Sequence, residues 1–97
     1  MTDLRKLARG QPCQVRLPGC RNDTSTVVLA HYRLSGICGA GLKPPDICGA
    51  WCCSHCHDIS DGRTRSDMTR DEIRLAHADG VMRTLYELVR MGALGNG

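Results

Sequence analysis

Cysteine and histidine side chains are the groups in this sequence best suited to chemistry, and the 97 residues include seven cysteines and four histidines. Cys53 and Cys56 have CxxC spacing, which lets two thiolates bind one ion from a tight turn or a helix start. Tetrahedral zinc needs four such donors. Cys13 and Cys20 bracket a Pro-Gly turn that could bring them together. The sequence therefore predicts a structural zinc ion held by these two cysteine pairs.

The remaining cysteines leave alternatives open. Cys38 and Cys48 flank a segment rich in glycine and proline and could form a further pair, and Cys52 is adjacent to Cys53. A free cysteine otherwise behaves as a small buried hydrophobe, and we favour that interpretation for Cys38, Cys48 and Cys52. A thioredoxin-like redox role for the CxxC pair would require a βαβ pattern that this sequence lacks.

The four histidines occupy different contexts. His31 ends a segment rich in β-branched and apolar residues, and His57 directly follows Cys56, so its imidazole is expected to point away from the structural ion. His55 lies inside the CxxC pair and could be a ligand, a DNA contact or a surface residue. His77 falls in a C-terminal amphipathic helix with no second donor nearby, which predicts a partly exposed helical histidine.

The first half of the chain has the pattern of two strands and a helix. Residues 13–17 alternate as a half-buried strand does, and residues 26–32 are rich in β-branched residues. Together they predict a β-hairpin. Residues 51–59 are expected to open a helix that Gly62 ends.

A longer helix is predicted over residues 67–92, because Thr69 and Glu72 have the spacing of a capping box. Gly80 inside this helix is expected to cost about 1 kcal/mol relative to alanine. Apolar residues at helical spacing predict one stripe that packs on the core. The stripe consists of Ile73, Ala76, Leu85, Leu88 and Val89.

Length and composition favour one small domain over residues 1–97, with a basic arm or helix over 1–12 and a core over 13–63. Aromatic residues make up 3% of the chain, so the apolar core is thin and a metal is a reasonable stabilising element. The net charge of +3 fits a nucleic-acid partner without requiring one. The first residues carry no secretory signal and no apolar run is long enough to cross a membrane, which predicts a cytoplasmic protein with reduced thiols and no membrane partner.

The order of these motifs resembles the HNH, or His-Me finger, endonucleases. Ala30 and His31 end a strand, a loop follows, and Cys53-Ser-His-Cys56-His57 enters a helix. The resemblance covers about residues 13–63. It implies an α+β fold, a small zinc-stapled ββα-metal domain, here extended by a long C-terminal helix.

Shorter motifs look like those of the small YbcO-like prophage proteins, which are regarded as nucleases and are related in motif to the phage recombination-enhancement nuclease Ref. The matching motifs are Cys13-Gln-Val-Arg16, Leu29-Ala-His31, Arg33-Leu34, Lys43-Pro-Pro-Asp46, Cys53-Ser-His-Cys-His-Asp58 and the N-terminal Leu4-Arg-Lys6. A recombinase filament as a partner is implied by this resemblance alone.

The resemblance implies a metal-dependent DNA endonuclease and assigns a role to each matching residue. His31 would be the general base that takes a proton from the attacking water. Asp46 would stand in the position of the family's Asn and orient His31, and His57 would bind a catalytic Mg²⁺ or Mn²⁺ ion. The candidate phosphate contacts are Arg33, Lys43, Arg63 and Arg65.

One position departs from the family pattern. The family has an acidic or histidine metal ligand directly before the catalytic histidine, and this sequence has Ala30. Another residue must therefore help His57 to hold the ion. The candidates are Asp58, Asp61, His55 and Asp46. The departure also keeps an alternative open, in which the protein is a catalytically inactive zinc-stapled module that binds DNA or protein.

Overall fold

Three α-helices and two strands make up the regular structure of residues 3–34 and 44–94, the parts of the chain that the computed structural model describes. Two short 3-10 helices, Thr24–Thr26 and Asp46–Cys48, each precede a strand. The result is a small mixed α/β domain with a two-stranded sheet and a long C-terminal helix. In chain order the elements are α1 (Leu4–Leu7), β1 (Val28–His31), β2 (Gly49–Cys52), α2 (Ser54–Ser60) and α3 (Arg70–Arg90).

The two strands pair antiparallel, although a long connection separates them in the chain. Val28 lies opposite Cys52, and His31 lies opposite Gly49. Gly49 is required at this point, because a Cβ atom there would come within 2.6 Å of the Leu29 side chain. The register places His31, the last residue of β1, beside the 3-10 helix that leads into β2.

The predicted β-hairpin is wrong. Residues 13–17 form no strand, and β1 pairs with β2 instead. The segment touches the sheet through a single backbone hydrogen bond, from Gln14 N–H to the Trp51 carbonyl at 2.7 Å. It then bends away at Arg16, whose φ of 56° lies in the left-handed region. This bend turns the chain toward the cysteines of α2. The alternation of apolar and polar residues over 13–17 carries no information about this tertiary constraint.

The predicted helix over residues 51–59 begins later than expected. Trp51 and Cys52 belong to β2, and Cys53 is the N-cap of α2. All four residues of β2 are buried, so this apolar run belongs to a fully buried strand rather than to the start of a helix. The end of the helix is close to the prediction, since Gly62 follows it with a φ of +79°.

The N-terminal segment is packed against the core. Asp3 caps α1 by accepting hydrogen bonds from the backbone N–H groups of Arg5 and Lys6. Leu4 and Ala8 are buried in the same apolar cluster as Trp51, while the basic side chains of α1 are exposed. The predicted basic arm is therefore a short helix with one buried side.

The capping box that starts α3 is confirmed. Thr69 Oγ1 accepts a hydrogen bond from Glu72 N–H at 3.1 Å, and Glu72 Oε1 accepts one from Thr69 N–H at 2.7 Å. The helix then runs to Arg90, close to the predicted bounds. In the described part of the chain, neither α3 nor any other helix is long and apolar enough to cross a membrane.

The predicted stripe of α3 is correct in part, because Ile73 and Leu88 are buried and Ala76 packs against the core. Val89 is 47% exposed, whereas Gly80 and Thr84 are buried. Thr84 Oγ1 accepts a hydrogen bond from Trp51 N–H at 3.0 Å, which ties the helix to β2. The fully buried side of α3 consists of Ile73, Gly80, Thr84 and Leu88.

We expect Gly80→Ala to destabilise the protein even though alanine is the better helix former. A Cβ atom at position 80 would lie 2.9 Å from Val15 Cγ2 and 3.1 Å from Val15 Cα, and overpacking of this kind costs about 1–3 kcal/mol. Helix propensity alone would stabilise the protein by about 1 kcal/mol. Urea unfolding distinguishes overpacking from helix propensity by the sign of the change in the free energy of unfolding. A more stable variant would contradict the close packing of α3 on residues 14–15.

Candidate functional site

Four cysteine sulfurs form a cluster at the junction of residues 13–20 with α2. The Sγ atoms of Cys13, Cys20, Cys53 and Cys56 all lie within 4.8 Å of one another, and those of Cys20 and Cys53 are 3.7 Å apart. Four thiolates bound tetrahedrally to zinc at about 2.3 Å would lie about 3.8 Å apart. The donor set and its spacing therefore fit a metal ion such as zinc, and the structure brings both predicted pairs together.

Backbone groups support these sulfurs. Leu17 N–H donates to Cys56 Sγ at 3.4 Å, and Asn22 N–H donates to Cys20 Sγ at 3.3 Å. The Asn22 side chain in turn accepts a hydrogen bond from Cys13 N–H at 2.7 Å. Donors of this kind favour the charged form of a thiol, which is the form that binds a metal.

His55 supports the turn between the first two cysteines. Its Nε2 atom lies 2.9 Å from the Pro18 carbonyl oxygen and donates a hydrogen bond to it. Cys48 and Cys52 lie outside the cluster, and Cys38 is not among the described residues. Cys52 is fully buried, and the neighbouring Cys13 sulfur raises the pKa of Cys52, so this thiol stays protonated.

A second candidate site is a cleft of about 220 Å³ between the end of β1, the end of α2 and the first half of α3. Three arginines, Arg33, Arg70 and Arg74, line it and supply positive charge. Its other polar residues include the imidazoles of His31 and His77, the Tyr32 ring, and the side chains of Ser60 and Asp61.

His31 and Asp46 form a hydrogen-bonded pair at the end of β1. His31 Nε2 lies 2.8 Å from Asp46 Oδ1, and Arg5 Nε lies 3.4 Å from the same oxygen. The hydrogen bond with His31 lowers the pKa of Asp46, so at neutral pH this carboxylate can only accept hydrogen bonds. His31 Nε2 must therefore carry a hydrogen and donate it, and its Nδ1 atom is the acceptor when the ring is neutral.

His57 is paired with Asp61, the C-cap residue of α2, four residues further along the chain. His57 Nε2 lies 3.3 Å from Asp61 Oδ2, and Asp61 lines the cleft that His31 also lines. Two residues that the sequence analysis named as candidate metal ligands, His57 and Asp61, thus lie side by side.

The predicted phosphate-binding residues lie in different places. Arg33 lines the cleft. Arg63 Nη2 donates to Asp61 Oδ2 at 2.6 Å, its Nη1 lies 3.6 Å from Asp58 Oδ1, and Asp61 raises the pKa of Arg63. Arg65 is exposed and lines a different depression, near Pro18 and His55. Lys43 lies outside the described residues.

His77 is partly exposed, as predicted, but the expectation that it has no partner nearby is wrong. His77 Nε2 donates a hydrogen bond to the carbonyl oxygen of Ala30, the residue before His31, at 2.9 Å. Its ring also makes an edge-to-face contact with Tyr32, with the two ring centres 5.1 Å apart. Burial lowers the pKa of His77. No local signal could have revealed this contact, because 47 residues separate its two partners.

Arg70 and Arg74 were also missed by sequence reasoning. They are four residues apart, and positions at this spacing lie on one side of a helix. Both line the cleft, and the Arg74 guanidinium lies 5.0 Å from the centre of the Tyr32 ring. Their spacing was the available signal, but it does not say which element that side of the helix faces.

The protein is thus a small mixed α/β domain that has a four-cysteine cluster at the start of α2 and a cleft lined by arginine and histidine at its end. A family model described as "Putative nuclease YbcO" matches residues 2–93. The chain belongs to the YbcO family, whose members carry the name of a nuclease.

Two curated relatives are each 58% identical to this chain over 65 residues, which is 66% of this chain and 68% of the relative. They are "Putative nuclease YbcO" of Escherichia coli (strain K12) and "Putative nuclease ybcO" of Enterobacteria phage 82. A solved structure, described as a putative bacteriophage protein from Escherichia coli str. K-12 substr. MG1655, is similar with a TM-score of 0.76 and 37% identity. That match covers 92% of this chain and 99% of the other.

We expect Cys20→Ser to lower bound zinc from about one ion per chain to almost none, because tetrahedral structural sites need four ligands. The unfolding temperature should fall as well, since structural zinc contributes on the order of 10 kcal/mol to folding. Cys48→Ser is the matched control, because Cys48 is outside the cluster, and it should retain the ion. Metal analysis and thermal unfolding measure both effects, and unchanged zinc in Cys20→Ser would contradict the ligand assignment.

The half-buried His77 predicts a pH dependence of stability. Because its pKa is lowered in the folded state, its contribution is complete above the ordinary histidine value of about 6.5 and is lost as the pH falls toward the folded-state pKa. Gln in its place can still donate to Ala30 but does not titrate. The free energy of unfolding of His77→Gln relative to that of wild type should therefore rise as the pH falls from about 7.5 to about 5.5. Urea unfolding with zinc present measures this difference. A difference independent of pH, with an NMR titration midpoint at or above the ordinary value, would contradict this.

Proposed function

We propose that this protein is a metal-dependent DNA endonuclease of the HNH type that hydrolyses phosphodiester bonds. The observation that carries the proposal is the oriented pair of His31 and Asp46 at an arginine-lined cleft. The order of two antiparallel strands followed by a helix, with cysteine pairs at the helix start, supports a ββα-metal assignment. The names of the curated relatives point to the same class of reaction.

His31 acts as the general base in this proposal. Its Nε2–H donates to Asp46, which fixes the tautomer and leaves Nδ1 free to accept a proton from water. The hydroxide equivalent attacks phosphorus, and the bond from phosphorus to the leaving oxygen breaks. Arg5 contacts Asp46 through the same oxygen and helps to keep the carboxylate in place. Asp46 is thus a positioning residue, and a base held in this way contributes about 10²–10⁴-fold to the rate.

His57 and Asp61 are the residues that would hold the divalent ion. Neighbouring ligands of an octahedral ion with bonds of about 2.1 Å lie about 3 Å apart, close to the 3.3 Å between His57 Nε2 and Asp61 Oδ2. A carboxylate oxygen suits Mg²⁺ or Mn²⁺, so Asp61 supplies the ligand that Ala30 cannot. When bound, such an ion polarises the scissile phosphate and stabilises the leaving oxygen. Arg63, which now pairs with Asp61, would become available to a phosphate.

Arginines around the cleft would hold the DNA backbone. Arg33, Arg70 and Arg74 line it, and each cation placed against a phosphate adds a salt-dependent contribution to affinity. The contact between Arg74 and the Tyr32 ring restrains one of these guanidinium groups. Arg63, Arg65 and Lys43 remain candidate phosphate contacts from the sequence.

Metal-dependent nicking of plasmid DNA tests the proposal. His31→Ala should lower the rate at least about 100-fold while zinc content and thermal unfolding stay near wild type. Asp46→Asn should lower it less, because the base remains but its tautomer is no longer fixed. Asp67→Asn is the matched control, since this exposed carboxylate lies outside the cleft, and it should cut as wild type does.

The metal ligands have a separate readout. His57→Ala and Asp61→Asn should raise the Mn²⁺ concentration needed for half-maximal cutting by about 10-fold or more. Equal cutting by His31→Ala and wild type would overturn the proposal. A wild-type protein that shifts DNA in a gel but never cuts it with Mg²⁺ or Mn²⁺ would favour the inactive zinc-stapled binding module. The requirement for a recombinase filament stays a prediction, which adding the filament to the same assay would test.

A further inference from the structure

A row of large apolar side chains on α3 faces solvent. Leu75, Met82 and Tyr86 are 63%, 67% and 65% exposed, and Val89 is 47% exposed. These residues lie on one helix in the described part of the chain, across more than three turns. Clustered apolar exposure of this kind marks an interaction site more often than single exposed residues do.

The spacing of this row is that of a coiled-coil seam. Leu75, Met82 and Val89 follow one another at intervals of seven residues, and Ala78 and Leu85 fall at the intermediate positions. Heptad spacing of apolar residues allows two helices to pack side by side. At about 100° per residue, the seam lies roughly opposite the side of α3 that the chain buries against itself. That buried side consists of Ile73, Gly80, Thr84 and Leu88.

Charges along one flank of the seam indicate what covers it. Glu72 and Asp79 lie on this flank before Met82, and Arg83 and Arg90 lie on the same flank after it. If two copies of α3 pack antiparallel around a two-fold axis near position 81, Glu72 of one copy faces Arg90 of the other. Asp79 likewise faces Arg83. In a parallel arrangement this flank would face the opposite flank of the partner helix, so these two charge pairs would not form, and only the antiparallel arrangement sets the two helix dipoles in favourable opposition.

Both of these arginines are already held on the flank by their own chain. Arg83 Nη1 donates to the Gln14 carbonyl at 2.8 Å, and Arg90 pairs with Glu87 and lies 5.9 Å from the centre of the Tyr86 ring. Their guanidinium groups therefore lose less conformational freedom when a partner arrives. A surface that is complementary to itself under two-fold rotation is the requirement for a symmetric dimer.

We propose that two copies of this chain associate antiparallel through the outward side of α3, with Leu75, Met82, Tyr86 and Val89 buried between them. Arg70 and Arg74 line the cleft, on the flank of the helix away from Glu72 and Arg90. The proposal does not depend on nuclease activity.

Sedimentation of the full chain over a range of concentrations tests the association. Wild type should show a reversible monomer–dimer equilibrium, and Met82→Glu should weaken it at least about 10-fold. Val28→Glu is the matched control, because Val28 is 43% exposed on β1, and it should dimerise as wild type does. Circular dichroism and zinc content confirm that both variants fold. Wild type that stays monomeric up to about 1 mM, or equal weakening by Val28→Glu, would overturn the proposal.

Cross-linking tests the orientation of the two helices. In an antiparallel pair, position 75 of one copy lies near position 89 of the other. A mixture of Leu75→Cys and Val89→Cys should therefore react with a short bismaleimide to give covalent dimers, above the background of wild type with its native cysteines. Each variant alone should give few. Stronger cross-linking within either single variant than in the mixture would overturn the antiparallel arrangement.

Discussion

The four-cysteine cluster is the constraint on which the rest of this fold depends. Its sulfurs come from residues 13–20 and from the start of α2, and they converge within 4.8 Å. To bring them together, the chain bends at Arg16 with a φ of 56° and uses Asn22 and Leu17 as backbone donors to sulfur. In a chain with 3% aromatic residues, a metal ion held by this cluster would cross-link segments that apolar packing alone joins weakly. Because the cluster holds Cys56, it also fixes the backbone of His57.

The antiparallel register of β1 and β2 is the second constraint, and it creates the His31–Asp46 pair. His31 is the last residue of β1 and lies opposite Gly49, the first residue of β2. Asp46 opens the 3-10 helix directly before β2, so the two side chains meet although 15 residues separate them. The short helix turns the Asp46 carboxylate toward the strand end. Three separate segments, α1, β1 and the 3-10 helix, thus converge on one carboxylate oxygen through Arg5, His31 and Asp46.

The features that the sequence predicted correctly are those with local causes. Cysteine spacing indicated both cysteine pairs of the cluster, and the capping box at Thr69 indicated where α3 begins, because each depends on residues close together in the chain. The hairpin failed because the sulfur cluster, a tertiary requirement, overrides the alternation of residues 13–17. The hydrogen bond of His77 was missed for a similar reason, since its partner Ala30 belongs to a distant segment. The roles of His31, Asp46 and His57 came from family resemblance and stay predictions until activity is measured.

The predicted apolar stripe of α3 wrongly included Val89 and omitted Gly80 and Thr84, because the helix has two apolar sides rather than one. Periodicity alone cannot separate them when apolar residues fall around most of the helix. Size decides between the sides here: Gly80 and Thr84 are small enough to let α3 approach Val15 and the Trp51 backbone, whereas Leu75 and Met82 would not fit there. The close approach directs Arg70, Arg74 and His77 into the cleft. It also leaves the large side chains pointing outward, so one packing choice accounts for both the cationic cleft and the exposed seam.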